Sequence, residues 1–197
     1  MLHNAVLACH PETASQIVQG MEARVEWRQG RALALAYVLK GDISRLGIPP
    51  ARPPRRADRL WEHTCFEAFI AIKGRPGYHE FNFAPSGEWA ASKFRRYREG
   101  APLGDEDFEP SITIRIAGDS LELGALVRLD RLPGMQRNVQ LRLGLSAVIE
   151  DKHGRLSYWA LKHPSSKPDF HHSDAFVLEL APALVDAVND PAYTGKV

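Results

Sequence analysis

The feature that most constrains this chain is an alternation of apolar and polar residues with a period of two. Between residues 22 and 29, for example, Ala23, Val25 and Trp27 are separated by charged residues. Because successive side chains of a β-strand point to opposite faces of its sheet, such a segment predicts a strand with one buried face. The same alternation, or an apolar run of strand length, recurs at residues 32–39, 64–72, 78–83, 112–116, 121–129, 139–149, 156–161 and 175–180.

Glycine, proline and polar residues separate these segments by the short distances that hairpin turns need. We therefore predict nine or ten short strands. The predicted class is all-β, a jelly-roll-like antiparallel β-sandwich with little helix, because strands do not alternate with long helical segments. The four predicted hairpins join residues 22–29 to 32–39, 64–72 to 78–83, 112–116 to 121–129, and 139–149 to 156–161.

Three further segments have weaker signals. Residues 41–59 contain four prolines and are predicted to form a loop, since proline removes backbone donors from a sheet. Residues 88–98 fit a helix or a twisted strand, and we assign them to a strand. The tail after Pro182 is predicted to be peripheral, with a short turn of helix.

Length and charge limit the class of protein further. A chain of 197 residues is predicted to form one domain over residues 1–197, with its core at about 20–180. Because Lys and Arg total 25 against 24 Asp and Glu, no strong field attracts nucleic acid or an anionic membrane. The sequence has no secretory signal or membrane-spanning run, so we expect a cytoplasmic protein. Cys9 and Cys65 are expected to be reduced thiols, with Cys65 in or near the core.

The densest group of polar residues lies in two strand-like blocks, WEHTCFEAFI at 61–70 and YHEFNFAPSGEW at 78–89. If these blocks pair, their alternation places Glu67, Glu80 and Asn82 on one face and the core phenylalanines on the other. Two carboxyl groups and a carboxamide can hydrogen-bond the hydroxyl groups of a polar ligand. The pattern predicts a shallow polar binding site, although a solvated sheet face would have the same sequence.

Three tryptophans, Trp61, Trp89 and Trp159, lie at the edges of the polar segments. An indole ring offers a flat surface to the apolar C–H face of a sugar ring, and it also packs well in a core. The sequence leaves both roles open for these residues.

A second polar group occurs in YWALKHPSSKPDFHH at 158–172. One alternative is a metal site formed by His163, Asp169, His171 and His172, because imidazole and carboxylate groups ligate zinc and iron. Adjacent histidines in a loop have no fixed geometry, so hydrogen bonds from these side chains to the backbone explain the segment as well.

Signatures of catalysis are few. The sequence contains no GxSxG elbow, no Gly-rich phosphate loop and no ordered Cys–His pair at a helix start. The catalytic hypothesis that stays open is a small hydrolase or isomerase that uses Glu67 and Glu80 as acid and base. Cys65 has no visible activating base, which favours an inert thiol.

Three strings in the sequence, LWEHTCFEAFI, YHEFNFAPSGEWAASKFRRYREG and WALKHPSSKPDFHH, resemble the bacterial stand-alone branch of DOMON-like domains. That branch is similar to family-nine carbohydrate-binding modules. The resemblance covers about residues 20–180. It implies a jelly-roll-like β-sandwich whose concave sheet binds a ligand, with sugars and haem as the two ligand classes.

Carried over by position, the resemblance implies ligand stacking on Trp61 and Trp159. The predicted hydroxyl-binding group comprises Glu67, Glu80, Asn82, Arg98 and Lys162. We therefore predict a non-catalytic domain that binds a small saccharide-like ligand and needs no cofactor, and we expect neither a nucleic-acid nor a membrane partner. The haem alternative would draw its axial ligands from Met135, Lys162, His163, His171 and His172.

Overall fold

The computed structural model describes residues 2–103, 109–132, 135 and 138–182, and these residues form an all-β fold. Helical structure among them is limited to short 3₁₀ turns, and no helix in these ranges is long and apolar enough to cross a membrane. The predicted all-β sandwich is therefore confirmed, while the finer jelly-roll description stays a prediction. The described strands are β1 Leu2–Cys9, β2 Val18–Arg28, β3 Ala32–Gly41, β4 Arg55–Arg56, β5 Cys65–Ile72, β6 Tyr78–Phe83, β7 Glu88–Arg96, β8 Glu99–Pro102, β9 Ser111–Ala117, β10 Ser120–Arg128, β11 Leu141–Glu150, β12 Leu156–Ala160 and β13 Leu178–Leu180.

The strands form two sheets that meet along β1. The first sheet has the order β1, β2, β3, β10, β9, and the second has the order β4, β7, β6, β5, β11, β12. Strand β1 belongs to both, since residues 2–7 pair with β2 whereas Ala8 and Cys9 pair with β12. Strand β8 pairs with β7, and β13 pairs with β11. Every pair between described strands is antiparallel except the short parallel contact of β4 with β7.

The main hydrophobic core lies between the inner faces of the two sheets. Phe66, Phe81 and Phe83 of the second sheet pack there with Tyr37 and Leu123 of the first, and all five are fully buried. The Tyr37 hydroxyl crosses this core and donates a hydrogen bond of 2.7 Å to the backbone oxygen of Glu67. The first sheet is thereby connected to the middle of β5, which is the strand that carries the polar block.

All four predicted hairpins are confirmed. Strand β2 pairs with β3, β5 with β6, β9 with β10, and β11 with β12, each antiparallel. The assignment of residues 88–98 to a strand is confirmed for Glu88–Arg96. The pattern was a sufficient guide here because each hairpin joins two strand-like segments that contribute apolar side chains to the main core.

Three expectations about the chain differ from the structure. Strand β1 was not predicted, since its Leu2 and Val6 side chains are exposed and its apolar pattern is weak. The proline-rich segment 41–59 contains the two-residue strand Arg55–Arg56. The last strand begins only at Leu178, because residues 173–175 form a 3₁₀ turn. The predicted helical turn after Pro182 lies outside the described residues.

The face of the second sheet that points away from the main core is covered by residues 161–177. Phe170 and Phe176 of this covering segment form a second apolar cluster with Phe69 and Tyr78 of the sheet. The Phe176 ring lies over Gly144, where a Cβ atom would come within 2.6 Å of the ring, so only glycine allows this approach. The polar residues of β5 and β6 therefore lie beside a packed cover rather than on an open surface.

Candidate ligand-binding site

The polar side chains of β5 and β6 share one face of the second sheet. Glu67 lies directly opposite Asn82 across the strand pair, and Phe69 lies opposite Glu80. On the other side of β5, Ser146 of β11 lies opposite Glu67. Directly paired residues of antiparallel strands point to the same face. The predicted common face of Glu67, Glu80 and Asn82 is thus observed, and Ser146 extends it.

Glu67, Glu80 and Asn82 form the floor of a cavity of about 510 Å³, which Ser146 does not line. The volume is within the range of about 300–1,000 Å³ that is usual for small-molecule sites. Strands of the second sheet supply the floor, while the proline-rich loop and the covering segment supply the walls. The lining comprises Arg56, Asp58, Trp61, Glu67, Glu80, Asn82, Ala90, Ala91, Ser92, Phe94, Arg98, Pro102, Val148, Tyr158, Pro168, Phe170 and His171.

Among the polar side chains of this floor, Asn82 and Glu80 are held by hydrogen bonds to described residues, whereas the Glu67 carboxyl group is not. Asn82 Nδ2 donates a bond of 2.8 Å to Glu80 Oε1, and the Cys65 thiol donates one of 3.6 Å to Asn82 Oδ1. Within the described residues the Glu67 carboxyl group forms no side-chain hydrogen bond, although Glu67 is only 3% exposed. Ser146 Oγ is likewise buried without a hydrogen-bond partner in this part of the chain. Buried polar groups of this kind are costly unless something else pairs with them.

Burial also changes the acidity of the two glutamates. The pKa of Glu67 is raised well above its usual value, first by burial and then by the charge of Glu80, while Arg98 opposes the shift. The pKa of Glu80 is raised by burial, although the hydrogen bond from Asn82 and the charge of Arg98 act in the other direction. Strongly shifted pKa values in a cavity are a common property of functional sites.

Arg98 lies in the wall of the cavity and is held in place by its neighbours. Its backbone has a φ of 52°, a left-handed conformation that turns the chain between β7 and β8. Its guanidinium group donates to Asp169 Oδ1 at 3.0 Å, and Asp169 Oδ2 accepts a bond of 2.8 Å from the Tyr97 hydroxyl. This cluster joins the β7–β8 turn to the covering segment.

His171 completes this wall as a neutral side chain. Its Nδ1 atom and the Tyr78 hydroxyl are hydrogen-bonded at 2.9 Å. The pKa of His171 is lowered to about 4, first by burial and then by the positive charge of Arg98, while the charge of Asp169 opposes the shift. At neutral pH the ring therefore offers a hydrogen-bonding nitrogen rather than a positive charge.

Aromatic side chains provide the apolar part of the cavity. Trp61 belongs to a 3₁₀ turn at the rim, and 49% of its surface is exposed. Phe94, Tyr158 and Phe170 also line the cavity. Trp89, the third tryptophan considered, is buried in the main core and therefore has the structural role.

Two of the predicted ligand-binding residues lie elsewhere. Trp159 is packed in the main core, where its Nε1 atom donates a bond of 3.1 Å to Ser157 Oγ. This placement corrects the expected stacking role, since the indole ring points to the opposite face of β12 from the cavity. Lys162 is exposed and does not line the cavity. The cavity does bring together Trp61, Glu67, Glu80, Asn82 and Arg98.

The residues of the metal alternative have separate partners. Three of these side chains form hydrogen bonds within the protein. His163 Nε2 is hydrogen-bonded to the backbone oxygen of Ala8. His171 is hydrogen-bonded to Tyr78, and Asp169 accepts from Arg98. His172 Nδ1 accepts from the Asp174 amide. Among the described residues no group of three or more His, Cys, Asp or Glu side chains could hold a metal ion. The geometry favours the structural explanation of this segment.

Among the candidate haem ligands, His171 and His172 line a common cavity of about 450 Å³, so the haem alternative stays a prediction, whereas Met135 does not share a pocket with His171. Met135 is buried in the main core between the sheets, whereas His171 lines the cavity on the far side of the second sheet. A pair of axial ligands must face one pocket, and these two residues do not.

Some site residues were missed in the sequence. Tyr158 lies opposite Val148, which lines the cavity, whereas Trp159 lies opposite Ala147, which belongs to the apolar core stripe of β11. Because paired residues point to the same face, the core stripe of β11 predicts that Trp159 faces the core and that Tyr158 faces the cavity. The same reasoning places Ser146 on the face of Glu67, because it alternates with the core residues Leu145 and Ala147, although Ser146 does not line the cavity. Nothing in the local pattern indicates Phe94 or Phe170.

Solved structures with a similar fold include a candidate carbohydrate-binding protein and family 9 carbohydrate-binding modules. A candidate carbohydrate-binding protein from Bacteroides uniformis ATCC 8492 superposes with a TM-score of 0.68 at 16% identity, covering 91% of this chain and 86% of its own. A family 9 carbohydrate-binding module from Caldicellulosiruptor kristjanssonii, solved with cellotriose, has a TM-score of 0.56 at 10% identity and covers 96% and 87%. A structure of such a module from that organism with glucose has a TM-score of 0.52 at 10% identity and covers 90% and 83%.

These comparisons identify the fold. The chain has a β-sandwich of the kind found in family 9 carbohydrate-binding modules, as the resemblance of its sequence strings implied. No protein-family profile and no curated protein sequence matches the chain. A likeness at 10–16% identity defines the architecture, so the function is argued from the site itself.

Proposed function

We propose that this chain is a non-catalytic domain that binds a small saccharide or a sugar derivative in the cavity over β5 and β6. One observation carries the proposal. Glu67, Glu80, Asn82 and Arg98 converge on a single cavity of about 510 Å³, and an exposed indole ring lies at its rim. Polar groups that recognise hydroxyls, together with a flat apolar surface, are the chemistry that a sugar ring requires.

Each part of the cavity has a definite role in this proposal. The Glu67 carboxyl group lines the cavity and forms no hydrogen bond with the described residues, so it is available to the ligand. Arg98 is held by Asp169 and donates from the wall. Trp61 stacks on the apolar face of the ring. A bound ligand would satisfy polar atoms whose burial otherwise costs free energy.

The comparisons support the same ligand class. The Caldicellulosiruptor module was solved with cellotriose and with glucose. The DOMON-like assignment suggested by the sequence strings is part of this proposal, with the saccharide rather than haem as the ligand.

Calorimetric titration of the purified chain with glucose, cellotriose and a panel of mono- and disaccharides tests the proposal. We expect weak, stereospecific binding with a Kd of about millimolar or tighter. Trp61→Ala should weaken binding about threefold to tenfold, as expected for the loss of one ring-stacking contact. Val6→Ala removes an exposed apolar side chain far from the cavity and serves as the matched control, which should bind as the wild type does.

The outcome that rejects the proposal is the absence of heat and of ligand-observed NMR signals for every sugar at millimolar concentration. A loss of affinity in Val6→Ala equal to that in Trp61→Ala would also count against this cavity as the site.

A second candidate, carboxyl-dependent hydrolysis, is favoured by one observation. Glu67 and Glu80 are two buried carboxyl groups with raised pKa values in one cavity, which is the arrangement that acid–base catalysis uses. Incubating cellotriose with the protein and following the products by NMR separates the two candidates. Turnover that disappears in Glu67→Gln would establish catalysis, and unchanged cellotriose would favour simple binding.

A further inference from the structure

The cavity holds buried carboxyl groups that a neutral sugar would leave without a cationic partner. Three carboxyl groups line it, from Asp58, Glu67 and Glu80, together with the guanidinium groups of Arg56 and Arg98. Both guanidinium groups already have carboxylate partners, since Arg56 lies 3.8 Å from Asp58 and Arg98 lies 3.0 Å from Asp169. Among the described residues, Glu67 and Glu80 therefore have no cation of their own.

Both glutamates are nevertheless aimed into the cavity from a buried position. Glu67 is 3% exposed and Glu80 is 7% exposed, and they lie on adjacent strands of the same sheet face. Glu80 accepts one hydrogen bond, from Asn82, whereas the Glu67 carboxyl group has none in the described part of the chain. An unpaired buried carboxylate is expensive, so a site with two such groups is complementary to a positive charge.

The cation that acts on Glu67 is Arg98, and this guanidinium group is shared with Asp169. His171 is neutral at physiological pH. The neighbouring strand β11 contributes Ser146 and Val148, which are uncharged. The titratable and charged groups that act on Glu67 or line the cavity with it are Tyr37, Cys65, Glu80, Arg98, His171, Arg56, Asp58 and Tyr158.

We propose that the cavity takes a cationic sugar, one that carries a primary amino group, with its ammonium placed between Glu67 and Glu80. This inference rests on the proposed saccharide-binding function and names the ligand class. The ammonium donates three hydrogen bonds, which suits two carboxyl groups that have free acceptor positions. The remaining hydroxyl groups of the sugar face Arg98, His171 and Asn82, and the ring stacks on Trp61.

The same geometry predicts how the affinity for a cationic sugar depends on pH. Burial raises the pKa of both Glu67 and Glu80, and the charge of Glu80 raises the pKa of Glu67 further, so both carboxyl groups keep their protons above the usual pH of ionisation. An ammonium group stabilises the ionised forms, so its binding releases protons. Affinity for the cationic sugar should therefore rise as the pH increases above about 4.3, the usual pKa of a glutamate, whereas affinity for glucose should not.

Titration calorimetry with glucosamine, glucose and N-acetylglucosamine tests the inference, because these sugars differ chiefly at one position and only the first carries an ammonium. We expect glucosamine to bind at least about tenfold more tightly than glucose at pH near 7. Heats measured in two buffers of different ionisation enthalpy should reveal proton release for glucosamine alone.

Variants locate the effect. Glu67→Gln and Glu80→Gln should each reduce the preference for glucosamine, and both are used in case one of them fails to fold. Glu22→Gln changes an exposed glutamate on the outer face of the first sheet and should keep the preference.

The outcomes separate the two proposals. If no sugar binds, the saccharide-binding function is rejected. If glucose binds as tightly as glucosamine, or if the preference survives in both Gln variants, the saccharide function stands and the cationic-ligand inference is overturned. A preference that disappears in Glu67→Gln or Glu80→Gln and persists in Glu22→Gln supports it.

Discussion

Strands of both sheets alternate apolar and polar residues, but the outer face of the first sheet is exposed to solvent whereas that of the second sheet is buried. On β2 of the first sheet, the outward residues Glu22 and Arg24 are exposed to solvent. On β5 and β6 of the second sheet, the outward residues Glu67, Glu80 and Asn82 are all buried. The difference arises because residues 161–177 pack over the second sheet, whereas the first sheet has no such cover in the described residues. Alternation thus determines which side chains share a face of a sheet. Whether that face is exposed to solvent depends on the packing of a segment that is distant in sequence, here residues 161–177.

The largest effect that tests this comparison concerns the apolar contacts under the cover. Phe69 lies on the outer face of the second sheet, yet it is 1% exposed and its ring stacks on Phe176 at 5.6 Å. Phe69→Ala should therefore lower the free energy of unfolding by about 3–5 kcal/mol, as for a core residue. Chemical denaturation monitored by fluorescence measures this change.

The matched control for Phe69 lies on the outer face of the first sheet. Leu126 of β10 is 36% exposed there. Leu126→Ala should change the free energy of unfolding by about 0.5 kcal/mol or less, which is usual for a surface position. Equal losses in the two variants would show that both outer faces are in the same environment and would remove the distinction drawn between the sheets.

A smaller effect tests how the two sheets are joined at the site. Tyr37→Phe removes the hydroxyl group that donates to the Glu67 backbone oxygen across the core, and it leaves that acceptor short of a partner. The free energy of unfolding should fall by about 1–3 kcal/mol. Tyr158→Phe is the control, because the Tyr158 hydroxyl forms no hydrogen bond with the described residues, and it should change stability by about 0.5 kcal/mol or less. Similar stability of both variants would argue against a structural role for the bond between the sheets.

Much of the fold could be predicted from sequence because its hairpins are local. In each one, two short segments with clear alternation are joined by a short turn, so the pattern and the pairing are determined together. Strand β1 escaped prediction because it pairs with β2 and β12, and β12 lies almost at the other end of the chain. Its exposed Val6 also gives it no apolar stripe.

The site was predictable only where it depended on strand register. The shared face of Glu67, Glu80 and Asn82 follows from alternation alone, and the structure places these groups in one cavity. The error at Trp159 has the same basis, since a shift of one residue along β12 exchanges the core face for the cavity face. The burial of the polar face was beyond local reasoning, because it requires Phe170 and Phe176 to pack from more than eighty residues away along the chain.

The smallest predicted effect concerns the pH dependence of the free energy of unfolding. A glutamate on the buried outer face of the second sheet should contribute to it, whereas one on the exposed outer face of the first sheet should not. Burial, and then the charge of Glu80, raises the pKa of Glu67 in the folded protein above that of the unfolded chain. Between these two pKa values the folded state holds the proton that the unfolded state has lost. The stability that this proton provides is fully present below the unfolded pKa, and it is lost as the pH rises through the folded pKa.

Glu67→Gln should therefore flatten the decline in stability that the wild type shows as the pH rises above about 4.3, the usual pKa of a glutamate. An amide keeps the shape of the protonated carboxyl group without the ability to ionise, so the variant measures the cost of the charge alone. Glu22→Gln, on the exposed outer face of the first sheet, should retain the decline of the wild type. Thermal unfolding of the three proteins across a series of pH values provides the measurement. A Glu67→Gln profile parallel to that of the wild type would mean that the carboxyl group is solvated, and the outer faces of the two sheets would then be electrostatically alike.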